Sequence, residues 1–276
     1  MPKIAALFAS ALLFVLSPAA DAANAIPSCY AAVKSGMSAS PPTREIFLLV
    51  DQTTPIDETI RSSVLDAVGR LAAPGSSFTV AKFSEFAPGH AAAITAAGTI
   101  EQSVPAAQRD SIGVRLLHNL DQCLAAQAVY GKRIAVESAQ AALASSHGSF
   151  AHSDVMASLR QLSATVSASP ARERIVILVS DMLEHSSATS FYERKMLRTI
   201  DPRSELSIAR NQHLTGDFRG ARIFVIGAGA IAPDQAGTYR SAAAIDALQS
   251  FWNAWFHLSN ARLAGFGEPN LMTPIQ

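Results

Sequence analysis

The chain is short of charge. Only 16% of its 276 residues are Asp, Glu, Lys or Arg, and 22 basic residues balance 22 acidic ones. With no basic stripe or acidic tail it lacks the electrostatic footprint of a nucleic-acid binder, and long-range steering is a poor route to its partners. Cysteine is scarcer still: Cys29 and Cys123 are the only two. Without histidines at matching spacing they do not make a zinc site. In an oxidising compartment the simplest reading is one disulfide, with two buried thiols as the alternative. Beyond the N-terminus no apolar run is long enough to span a bilayer. There is no Gly-x-Ser-x-Gly elbow, which removes support for an α/β-hydrolase triad. Gly227-Ala228-Gly229 lacks the third glycine and the acidic partner of a dinucleotide loop, and reads as a tight turn.

What is present begins with an export signal. Lys3 supplies a positive start, residues 4–16 are almost unbroken apolar, and Ala20-Asp21-Ala22 or Ala23-Asn24-Ala25 fits the small-x-small cleavage pattern. Residues 1–25 are therefore expected to be a signal peptide, and the mature chain to be periplasmic or secreted; an uncleaved anchor is the alternative. No cysteine sits directly after either cleavage site, so a lipid anchor is not expected there. Residues 26–43 read as an N-terminal segment and linker, since Pro41-Pro42 and small polar residues disfavour regular structure. Residues 44–267 form the main domain and 268–276 a tail. At 49% hydrophobic the domain can bury a sizeable core.

Within the domain, strands alternate with helices. Residues 45–50 are apolar after Glu45, the pattern of a strand buried on both faces. Asp57-Glu58-Thr59 opens a helix with acids in its first turn, Ile60, Val64, Val68 and Leu71 share one face, and Pro74-Gly75 stops it. Residues 77–83 and 93–100 read as strands joined by a turn at Pro88-Gly89-His90. Residues 105–131 read as irregular structure followed by a helix over 116–128, with a separate Ala-rich helix over 132–144. After the loop 145–149 come a helix over 153–167 and strands over 174–179 and 221–227. The helix over 238–257 carries Ile245, Leu248, Trp252, Trp255 and Phe256 at helical spacing, a core-facing stripe. Residues 261–266 read as an edge strand. The long polar segment 186–212 stands after the fourth strand, where it could frame a partner's approach. The whole predicts a three-layer αβα sandwich with a mostly parallel central sheet.

Two strands end in carboxylates: Asp51-Gln52-Thr53 after the first, Ser180-Asp181 after the fourth. In open α/β sheets, ligands bind outside the carboxyl ends of the strands. Carboxylates and hydroxyls delivered to that edge suit a hard divalent cation. Capping of the following segments is the simpler account of each aspartate alone. The layout resembles the von Willebrand factor type A domain over residues 44–266. Asp51-Gln52-Thr53-Thr54-Pro55 is similar to that family's Asp-x-Ser-x-Ser, the loop and helix from Ser153 to its Thr-bearing second motif, and Ser180-Asp181 to its third. The resemblance implies a metal-ion-dependent adhesion site: Asp51 holding Mg²⁺ (or Mn²⁺) mostly through water, hydroxyls from Thr53 and Ser153, a second carboxylate from Asp181, and a partner protein at the open position. It implies binding, with no catalytic residue. Pro55 departs from the pattern, since it stands where the second hydroxyl of the first motif belongs and carries no side-chain oxygen.

Two other readings compete. One is a metal-independent structural component of an envelope assembly. The other is a Mg²⁺-dependent phosphatase similar to the haloacid dehalogenases, with Asp51 as nucleophile and Ser180 as phosphate ligand; it lacks the late paired acids that would hold the metal. His147, His152 and the Glu184-His185 pair are read as solvated or hydrogen-bonded loop residues.

Overall fold

Alternate side chains of the first apolar run enter different layers. In the computed structural model, Phe47 and Leu49 point into one buried cluster and Ile46, Leu48 and Val50 into the other, as the period of two in a strand requires. The structure describes residues 24–34, 36–84, 92–146, 153–193, 196–230, 241–268, 270–271 and 273–276. Residues 1–23, which hold most of the expected signal peptide, the turn at Pro88-Gly89-His90, and His147 and His152 lie outside the described residues.

In chain order the elements are α1 (Cys29–Ala32), β1 (Arg44–Asp51), α2 (Glu58–Leu71), β2 (Ser76–Phe83), β3 (Ala93–Ile100), α3 (Ala106–Arg109), α4 (Val114–Ala144), α5 (Val155–Ala168), β4 (Glu173–Val179), β5 (Tyr192–Glu193), β6 (Met196–Leu197), α6 (Pro202–Asn211), β7 (Ala221–Ile226), α7 (Ala242–Leu258) and β8 (Ala261–Phe266). The main sheet runs β3-β2-β1-β4-β7-β8. All its pairings are parallel except β2 with β3. Buried residues of α2 and α4 join Ile46, Leu48 and Val50 on one face; those of α5, α6 and α7 join Phe47 and Leu49 on the other. The fold is thus the three-layer αβα sandwich expected, and Trp252, Trp255 and Phe256 are fully buried in its core. Among the described residues no helix is long and apolar enough to cross a membrane.

One reading needs correction. Residues 114–144 form one continuous 31-residue helix, not two. Gly131 suggests a break by propensity, but its use is packing: a Cβ there would lie 2.7 Å from Ile100 Cγ1 and 3.0 Å from Ile26 Cδ1. The polar segment 186–212 carries structure of its own. It holds the β5–β6 hairpin and α6, whose first turn is capped by Asp201 and started by Pro202. Phe191 is fully buried edge-on to Phe251, and Arg198 pairs with the buried Glu205.

The N-terminal residues are bound into the body. The Ala25 N–H donates to Ala97 O at 2.9 Å, and Asn24 Oδ1 accepts from Thr99 N at 3.2 Å and Ile26 N at 3.0 Å. This covers part of the outer edge of β3, where unpaired backbone groups would otherwise invite association. Cys29 and Cys123 form a disulfide joining α1 to α4, as the simplest sequence reading expects. Beside it the buried Glu101 carboxylate accepts from Ser28 Oγ at 2.6 Å, Cys29 N at 2.8 Å and Gln127 Nε2 at 3.2 Å.

Gly98 on β3 shows how tightly this end is packed. A Cβ at that position would lie 2.7 Å from the Phe78 ring and 2.9 Å from Ile26 Cδ1. Gly98→Ala should therefore lower stability by about 1–3 kcal/mol, the usual range for overpacking. Denaturant midpoints measure it; an unchanged midpoint would show that the Phe78 ring yields freely.

Candidate functional site at the carboxyl edge of the sheet

From β1 the chain crosses to β2 on one side, whereas β4 and β7 lie on the other. The strand order therefore reverses between β1 and β4, which is where an open α/β sheet forms its crevice. Asp51 is the last residue of β1, Ser180 and Asp181 follow β4, and Ser153 precedes α5. Three loops far apart in sequence thus deliver Asp51, Thr53, Ser153 and Asp181 to one edge.

Asp51 is wholly buried and Asp181 is 6% exposed. Asp51 Oδ1 accepts from Thr53 N at 2.9 Å and from Thr53 Oγ1 at 2.6 Å. Its Oδ2 accepts from Ser180 Oγ at 2.8 Å. A carboxylate has about four acceptor positions, so these three bonds leave Asp51 one, on Oδ2. Thr53 Oγ1 lies 3.1 Å from Ser153 Oγ, bringing the first- and second-motif hydroxyls into contact. Asp181 Oδ1 accepts from Leu183 N at 2.9 Å; Oδ2 carries no such bond among the described residues. Asp51 does not cap the following helix, a role taken by Asp57, which accepts from Ile60 N at 2.7 Å. Asp181 does satisfy a local amide, that of Leu183.

Burial raises the pKa of Asp51, opposed by hydrogen bonds from Thr53 and Ser180. Burial, then the charge of Asp51, raises that of Asp181 well above the usual carboxylate range. Among the described residues no lysine, arginine or histidine forms an ion pair with either. The donor set is all oxygen, the type that Mg²⁺ or Mn²⁺ prefers. These residues therefore fit a divalent cation, whose charge would offset both the desolvation and the mutual repulsion of the pair.

The departure at Pro55 has a structural counterpart. Thr54 is fully buried and its Oγ1 accepts from Asp181 N at 2.8 Å, so its hydroxyl does not replace the missing one. It ties the first loop to the third instead. Met182 follows in the left-handed region, with φ +61°, an uncommon conformation for a residue with a side chain. It is held by Ser180 Oγ, which accepts its N–H at 2.9 Å, and by Trp252 Nε1, which donates to its carbonyl at 2.9 Å.

Several neighbours escape a reading by motif. His185 and Ser153 exchange backbone hydrogen bonds at 2.9 and 3.0 Å. The His185 ring nitrogen Nδ1 lies 2.8 Å from Ser190 Oγ, and the ring stands edge-on to Tyr192 at 5.7 Å. Burial, then the charges of Asp181 and Asp51, pushes the Tyr192 phenol upward, which places that ring near the site. Glu184 is 1% exposed; one oxygen accepts from Met156 N at 2.9 Å, and the carboxyl serves the Val155 amide and Ser186 as well. It caps α5 from outside the helix and lines a cavity of about 590 Å³ with Asp154, Arg160 and Gln161. Glu184 and His185 are thus hydrogen-bonded rather than solvated. The signal for their environment was the Phe191-Tyr192 pair, apolar bulk inside an otherwise polar insert.

No protein-family model matches the chain, and no curated protein does. Among solved structures, the crystal structure of an aerotolerance-related membrane protein from Bacteroides fragilis NCTC 9343, carrying multiple mutations to serines, is similar over 82% of this chain and 92% of that one. Identity is 9% and the TM-score 0.37, a likeness that carries no argument about what this chain does.

Proposed function

We propose that this chain is an exported protein-interaction module of von Willebrand factor A type, taking a partner protein at the carboxyl edge of its sheet through a divalent cation. The observation that supports this reading most is the convergence of two buried carboxylates and two touching hydroxyls, from three separate loops, with no cationic side chain paired to the acids among the described residues. In this reading Thr53 and Ser153 hydroxyls and Asp181 face the cation. Asp51 orients the hydroxyls, and the remaining acceptor position on its Oδ2 reaches the ion through water. When bound, the cation supplies positive charge and an open position for an oxygen ligand of the partner. The phosphatase reading is weaker, because Asp51 is fully buried and hydrogen-bonded through both oxygens, a poor posture for attack on a phosphorus atom.

Thermal unfolding with EDTA, then with Mg²⁺ or Mn²⁺ added back, tests the proposal. At a hundred times its dissociation constant, a cation binding only the folded state adds about 2.7 kcal/mol. The midpoint should rise with cation concentration in the wild type and stay flat in Asp181→Asn, which keeps the local shape. Thr53→Ala should weaken the response. A flat wild-type midpoint rejects the cation and leaves the metal-independent envelope component as the reading.

A further inference from the structure

The small-x-small pattern offers two places to remove the leader, after Ala22 or after Ala25, and sequence alone does not choose. The contacts of the described residues that follow bear on the choice. Asn24 and Ala25 contribute three hydrogen bonds to the edge of β3 and its approach: Ala25 N–H to Ala97 O, and Asn24 Oδ1 from Thr99 N and from Ile26 N. Ile26 is 1% exposed and inserts between Gly98 and Gly131, both of which lack the Cβ that would displace it. We propose that the export leader is removed at the Ala22–Ala23 bond, so that the mature chain begins at Ala23 and keeps Asn24 and Ala25 as a strap on β3.

The alternative makes a poor N-terminus. Cleavage after Ala25 turns the Ile26 amide into an α-amino group, which is largely charged near neutral pH. That charge would start on a residue buried among apolar side chains, having lost Asn24 Oδ1, the acceptor its N–H uses. A buried charge without a partner is strongly disfavoured. The Thr99 N–H would lose its acceptor as well, and the Ala97 carbonyl its donor. Cleavage after Ala22 leaves three residues ahead of the first buried side chain, and all three bonds intact. Chemically the step is a hydrolysis by a leader peptidase of the exporting cell: water adds its hydroxyl to the Ala22 carbonyl carbon, the Ala22–Ala23 C–N bond breaks, and a proton goes to the new amine.

The test uses the whole chain with its own leader, expressed in a bacterium with a periplasm and analysed by intact mass and N-terminal sequencing. A product starting at Ala23 is expected; one starting at Ile26, or a chain retaining its leader, overturns the proposal. Two variants guard against trimming after cleavage. Ala22→Phe places a large residue directly before the proposed bond and should leave the leader attached. Ala25→Phe does the same to the rival bond at an exposed position, and the product should still start at Ala23. The reverse pattern would also overturn it. Neither outcome depends on the cation site, so this inference and the proposed function fail separately.

Discussion

In EDTA, the free energy of unfolding should fall steadily as pH rises from about 4.5 to about 8. Burial lifts the Glu184 carboxyl from 4.5 to about 8, against the opposing hydrogen bonds of Ser186, Met156 and Val155. Between those values the folded protein holds a proton that the unfolded chain has lost. Stability from this group is therefore complete below pH 4.5 and gone above pH 8, with a slope of up to about 1.4 kcal/mol per pH unit. The full span is about 4–5 kcal/mol as an upper figure. Asp51 and Asp181, both raised, add in the same sense while no cation is bound. Urea titrations at pH 5, 6, 7 and 8 measure the slope. Glu184→Gln keeps an oxygen for the Met156 amide and removes the proton, so its slope should be shallower. A Glu184→Gln curve parallel to the wild type would clear this carboxyl of the effect. Restoring Mg²⁺ should flatten the share that belongs to the aspartate pair.

The second large effect comes from the bridge between α1 and α4. Cys29 and Cys123 are 94 residues apart in sequence, and closing a loop of that size constrains the unfolded chain by about 4–5 kcal/mol in the chain-entropy model. Replacing both cysteines by serine should lower stability by up to that amount. The loss is bounded because the strap has other anchors: Ile26 in its slot, and the Glu101 carboxylate between Ser28 and Gln127. Measured in reducing and non-reducing buffer, the wild type should drop to the double mutant's level on reduction. A reduced protein as stable as the oxidised one would mean that these other contacts already fix the strap.

The parts of the fold that could be read in advance share one physical cause. β1 and β4 are buried on both faces, so their sequences are unbroken apolar runs, and the aspartates that end them stand out by contrast. α2 was legible from Asp57, which caps it, and from a single apolar stripe. α4 was not read whole, because Gly131 weakens helix propensity at the point where tertiary packing demands the smallest residue. That Asp51, Thr53, Ser153 and Asp181 meet at one sheet edge was legible, but the hydrogen bonds among their loops were not. Nothing local to Thr54 indicates that its hydroxyl accepts from the Asp181 amide, a contact spanning 127 positions. Nor does the polar segment after Asp181 reveal that Glu184 turns inward to cap α5, since that partner lies 28 residues back. Long-range hydrogen bonds leave no periodic trace.

Thr54 and Ser180 lace the loops after β1 and β4 together, Thr54 through the Asp181 amide and Ser180 through Asp51 Oδ2. Those two sides of the crevice consequently behave as one jaw. On the other side stands Ser153, 3.1 Å from Thr53 and held to the segment after β4 by its backbone exchange with His185 and by the Glu184 bond to Met156. The gap between Thr53 and Ser153 is thus the lightly bonded seam of the crevice, and a shift of Ser153 would bear first on His185, whose ring stands against Tyr192.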